Sequence, residues 1–136
     1  MKAHRSVASL AATVAAVAVV VLAPGTALAS SGGGCQTANP GSDALEACIS
    51  ASGAYLEPDG YILSEAGNCS TTYIDLQDYT TGVMVAQENV GCGTGHYGPF
   101  PYKGTNGHQY RVKVDSVDSA GIALNVVWSD IENFSD

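Results

Sequence analysis

From position 45 onward, apolar residues recur at alternate positions in short runs, and turn-forming residues separate the runs. No long stretch after position 41 repeats its apolar residues at the 3.6-residue period of a helix. Six runs read as strands: 45–52, 55–64, 70–78, 83–90, 108–117 and 122–129. Between them lie Thr80-Thr81-Gly82, Asn106-Gly107 and Ser119-Ala120-Gly121, built from the residue types that tight turns need. Pro58-Asp59-Gly60 is expected to break the second run. The alternative for 42–48 is one or two helical turns. The pattern as a whole predicts an all-β domain: a small antiparallel two-layer sandwich of about six strands, close to an immunoglobulin domain in size.

Parity predicts register. Ile74 and Leu76 share one face of their strand, and Val83 and Val85 share one face of the next. For both pairs to meet one core, odd residues of one strand must oppose even residues of the other. A four-residue loop at 79–82 does this, pairing Asp78 with Val83 and Leu76 with Val85. Continued, the register sets Cys69 opposite Cys92, near disulfide reach. A Cys69–Cys92 bridge is therefore predicted, and by elimination Cys35–Cys48. In the last hairpin a three-residue loop at 119–121 pairs Val112 with Trp128 and Val114 with Val126. Gly121 falls where such loops need a left-handed residue. Trp128 then becomes the largest core residue, while Arg111, Lys113 and Asp115 face water.

The N-terminal region changes the setting. Met1-Lys2-Ala3-His4-Arg5 is positive, the thirteen residues 10–22 are apolar but for Thr13, and Ala27-Leu28-Ala29 has the form of a signal-peptidase site. This three-part pattern reads as a secretory signal peptide over 1–29. Its apolar run is shorter than the roughly 20 residues that span a bilayer. A flexible leader at 30–41 and a single domain at 42–136 follow. Four cysteines in a short exported chain fit two disulfides, which a core of this size needs. The mature chain keeps three cations, Lys103, Arg111 and Lys113, against 13 carboxylates, a formal net charge of −10. Such a surface repels phosphate backbones and anionic lipid, so neither nucleic acid nor membrane is an expected partner.

Candidate chemistry concentrates in Gly91–His108, GCGTGHYGPFPYKGTNGH. Gly93-x-Gly95-x-x-Gly98 has the letters of a dinucleotide fingerprint, but Pro99 and Pro101 follow it where a helix is required. Lys103 precedes Gly104, the reverse of a phosphate-binding loop. Cys92, His96 and His108 would make a zinc set only if Cys92 were free. No metal or cofactor is expected. His96, His108 and Glu88 are the candidates for acid–base chemistry. Tyr97, Phe100 and Tyr102, with Pro99 and Pro101 fixing φ around Phe100, suit a stiff contact surface that loses little entropy on docking. The same stretch also suits a crossover between sheets whose aromatic rings cap the core.

Through ACISASG (47–53), PDGYI (58–62), GCGTGHYGPF (91–100) and NGHQYRV (106–112), the chain resembles a loose group of small secreted four-cysteine actinomycete proteins. That resemblance implies an extracellular location and carries no activity. Gly98-Pro99-Phe100-Pro101-Tyr102 also resembles a short piece of small secreted guanyl-specific ribonucleases, but one arginine is few cations for stabilising a pentacoordinate phosphate. Secreted amylase inhibitors are similar in size and bridge number, though the spacing C-x12-C-x20-C-x22-C differs. The leading expectation is a secreted, non-enzymatic protein that binds an extracellular protein or glycan through Tyr97, Phe100 and Tyr102. The alternatives are a small hydrolase using His96 or His108, and a structural component of the cell surface.

Overall fold

The structure, a computed structural model, describes residues 30–38 and 43–136. The segment read as a signal peptide, with its expected cleavage site, and residues 39–42 lie outside those residues. Where the sequence alternates, the chain is extended. The strands are β1 (Ser31–Gly32), β2 (Gly34–Ala38), β3 (Ala44–Ser52), β4 (Tyr55–Ser64), β5 (Thr71–Asp78), β6 (Val83–Asn89), β7 (Gly95–Tyr97), β8 (Tyr102–Lys103), β9 (Gln109–Val117), β10 (Ala123–Trp128) and β11 (Glu132–Asn133). The six expected strands are β3, β4, β5, β6, β9 and β10. The other five are short pieces that pair along edges, where alternation over two to five residues leaves little signal. Two of them, β1 and β2, lie in the segment read as a flexible leader, and β3 is extended where a helical turn was the alternative.

All strand pairs are antiparallel, and they form two sheets. Sheet A runs β1-β11-β9-β5-β6, with β10 also on β9; sheet B runs β2-β3-β4-β7, with β8 also on β4. Leu45, Ala47, Ile49, Leu56 and Ile62 of sheet B face Ile74, Leu76, Tyr110, Val112, Val114 and Val127 of sheet A, and Phe134 joins them. Each large side chain buried this way contributes about 1.5–3 kcal/mol. At Gly60 the layers touch: a Cβ there would stand 2.8 Å from Val114 Cγ2 and 3.1 Å from Ile74 Cδ1. Only a residue without a side chain lets β4 come that close. Both predicted bridges are present, Cys35–Cys48 and Cys69–Cys92, with Cα atoms 4.1 and 6.1 Å apart.

The loops match the sequence reading and the registers beyond them shift. Asp78 pairs with Val83 as expected, but Leu76 pairs with Ala86, because Val85 is an extra residue in β6. Val83, still opposite Asp78, is exposed, and the shift beyond it brings Ala86 and Glu88 into line with Leu76 and Ile74. Likewise Val117 pairs with Ala123, which fits the three-residue loop, and Gly121 has φ +78°. An extra residue at Leu124 then shifts the pairing to Val114–Val127 and Lys113–Trp128. One added residue sends every later side chain to the other face. Trp128 therefore lies on the outer face beside Arg111, Val126 is exposed, and Tyr110 is the largest fully buried residue.

The expected break at Pro58 does not occur, and β4 runs unbroken through it. In an extended chain the N–H and C=O of one residue point to the same side. The Pro58 carbonyl accepts the Phe100 N–H at 2.9 Å, so the missing Pro58 donor lies on that side as well. There the neighbouring strand is itself interrupted, between β7 and β8, and no ladder bond is lost.

Candidate functional site

The segment from Cys92 to His108 is the crossover from sheet A to sheet B and back. Cys92 is tied to Cys69 beside β5. β7 then pairs with Gly60–Ile62 and β8 with Tyr55–Leu56, both along one edge of β4. Between them Gly98–Pro101 leaves the sheet plane. Gly98 has φ +107°, and a Cβ on it would meet Asp59 Cβ at 2.8 Å, so the bend needs glycine.

That bend encloses one side of a cleft between the layers. Pro58, Phe100, Pro101 and Tyr102 form one wall; Ile74, Leu76, Ala86 and Glu88 form the other, and the cavity measures about 240 Å³. The lining residues are mainly apolar, and Glu88 is the charged residue among them. Phe100 and Tyr102 are half-buried and pack on the core, so their rings are held in place. Of the three aromatic residues singled out in the sequence, Phe100 and Tyr102 meet in this cleft. Tyr97 does not line it; its hydroxyl donates to the Gly93 carbonyl and its ring packs on the core. Ile74, Leu76, Ala86 and Glu88 escaped the sequence reading because the bulge at Val85 decides which face of β6 they meet.

The acid–base candidates are dispersed. His96, on β7 of sheet B, is bonded through Nε2 to Asp59 Oδ2 at 2.7 Å and stacks on Tyr61, ring centres 4.3 Å apart. His108, just before β9 of sheet A, is bonded through Nδ1 to Asp78 Oδ2 at 2.7 Å. Burial pushes the Asp78 carboxyl up, but hydrogen bonds from His108 and Thr81, with the charge of His108, outweigh it and hold it below the ordinary aspartate value. Asp78 thus favours the fold above about pH 4, and that contribution is lost as pH falls through its lowered value. Glu88 belongs to the cleft and touches neither histidine pair. Two Asp–His pairs on different sheets and a separate glutamate do not make one acid–base centre.

Among the described residues, Cys35, Glu46 and Cys48 converge within 4.8 Å, but their two sulfurs are bonded to each other. Cys92 is likewise spent in a bridge, which removes it from the zinc set considered with His96 and His108. Compared with protein-family models, curated proteins and solved structures, the chain finds no match.

Proposed function

We propose that this is a secreted, non-enzymatic binding protein that takes an apolar group of an extracellular protein into the cleft at Phe100 and Tyr102. The observation that carries this reading is the cleft itself: about 240 Å³, lined mainly by apolar residues, and framed by rings already fixed on the core. A site formed before binding loses little conformational entropy when filled. Glu88 on the wall favours a partner whose apolar side chain stands beside a lysine or arginine. The two disulfides and the signal-like N-terminal region support export, and the dispersal of His96, His108 and Glu88 supports a role without turnover.

The test is amide chemical-shift mapping of the mature protein with blocked dipeptides. N-acetyl-Leu-Lys-amide is expected to shift the amides of 86–88 and 100–102, and N-acetyl-Leu-Glu-amide to bind at least several-fold more weakly. Ala86→Leu, which fills the cavity, is expected to abolish the shifts while the rest of the spectrum stays native. Shifts scattered over the surface, or unchanged binding by the filled variant, would refute the reading. Amino-terminal sequencing of protein from culture medium is expected to begin at Ser30.

A further inference from the structure

The outer face of sheet A holds a second arrangement that the cleft does not use. Outward residues of β5, β9 and β10 form rows in which Gln77 pairs with Arg111, and Asp75 with Lys113 and then Trp128. Two of the three cations of the mature chain stand here, and they are treated differently. Lys113 Nζ lies 2.7 Å from Asp75 and 3.1 Å from Asp115, so its charge is matched twice over. Arg111 forms no ion pair among the described residues, although all 13 carboxylates of the chain are among them.

Arg111 is nevertheless held firmly. Its guanidinium carbon lies 3.8 Å from the Trp128 ring centre and 4.8 Å from that of Tyr79. Its Nε donates to Gln77 Oε1 at 2.8 Å, and Gln77 Nε2 in turn donates to the Gly82 carbonyl at 3.1 Å. That second bond fixes which end of the Gln77 amide meets the arginine. A free arginine side chain carries about 2 kcal/mol of rotamer entropy, and here it is already ordered. The Nη donors take no acceptor among the described residues, and their fork matches a carboxylate in two-point geometry.

We propose that Arg111, clamped between Trp128 and Tyr79, binds the carboxylate of a uronic-acid sugar. Charge complementarity selects an anion, since this is the one guanidinium of the mature chain and it has no carboxylate partner among the described residues. The net charge of −10 disfavours a polyanion, so the ligand carries a single carboxylate at the site. Tyr79 is 43% exposed and Trp128 half-buried, which leaves ring surface for the C–H face of a sugar. Gln77 and Gln87 stand on the same face as partners for hydroxyls. This site is separate from the cleft, and neither reading depends on the other.

Trp128 is the only tryptophan in the chain, so its emission reports the site directly. The mature protein titrated with methyl glucuronide is expected to show a saturable change in emission. Methyl glucoside, and the methyl ester of the glucuronide, are expected to bind at least tenfold more weakly to the same wild-type protein. Arg111→Lys and Arg111→Gln are expected to lose at least tenfold. The two neutral sugars need no variant, so a misfolded variant leaves the test intact. No saturable change, equal binding by a neutral sugar, or unaltered binding by a folded Arg111→Lys would overturn the proposal. Tighter binding of N-acetyl-Gly-Phe than of methyl glucuronide would overturn it in favour of a peptide carboxyl terminus.

Discussion

β4 and β9 meet the same difficulty and resolve it oppositely. Each has one edge paired with a long neighbour, β3 or β5, and another edge shared by two strands with a gap between them. Beside β4 the gap falls at Pro58, which has no N–H to satisfy. Beside β9 it falls at Val112, whose buried N–H donates to the Ser129 hydroxyl at 2.8 Å while the Ser129 N–H returns a bond to the Val112 carbonyl. One gap removes a donor and the other imports an acceptor. The first leaves an apolar opening lined by Pro58, Phe100 and Pro101; the second leaves a sealed, polar seam. The way a backbone deficit is settled thus decides whether an edge becomes a cleft or a wall.

Three substitutions sharpen this contrast. Gly98→Ala forces a side chain onto a left-handed backbone and against Asp59, and is expected to cost about 3 kcal/mol in chemical denaturation. A cost near zero would mean that the bend around the cleft is not fixed by Gly98. Ser129→Ala leaves the Val112 amide buried without its acceptor and is expected to cost about 2 kcal/mol, with faster amide exchange at Val112. If that exchange stays slow, the hydroxyl is not what seals the seam.

The smallest effect is expected at Glu132, which lies on β11 just past the sealed gap. Its side chain is buried, Oε1 has no hydrogen-bond partner, and burial raises its pKa. A native pKa above the unfolded one means that the fold holds the proton more tightly. Stability is then full below about pH 4.3 and falls as pH rises through the raised value. Glu132→Gln is expected to gain about 1 kcal/mol at neutral pH and nothing in acid, measured as the pH dependence of Tm. A gain that does not vary with pH would show that the carboxylate's charge is not the cause.

Fold class, both disulfides, six principal strands and two hairpin loops were legible in the sequence, because alternation, cysteine parity and turn residues are local signals. The two bulges were not. Neither Val85 nor Leu124 carries a residue type that marks a bulge, yet each reverses the facing of the residues that follow. That single-residue step moved Trp128 from the expected core to the outer face and Glu88 into the cleft. Pro58 misled for a related reason: whether a proline breaks a strand depends on what its missing donor would have faced. Phe100 and Tyr102 were visible as a stiff aromatic pair, whereas the opposite wall of their cavity comes from β5 and β6, distant in sequence.

Ser30 and Ser135 are bonded in both directions, hydroxyl to carbonyl at 3.0 Å and amide to hydroxyl at 2.9 Å. A short glycine linker from Asp136 back to Ser30 would close residues 30–136 into a ring with little displacement. Fresh ends could then be opened at Gly121, where no atom crowds the turn. Such a circular permutant should keep both sheets and both bridges, and would offer new attachment points for a fluorophore or a bead.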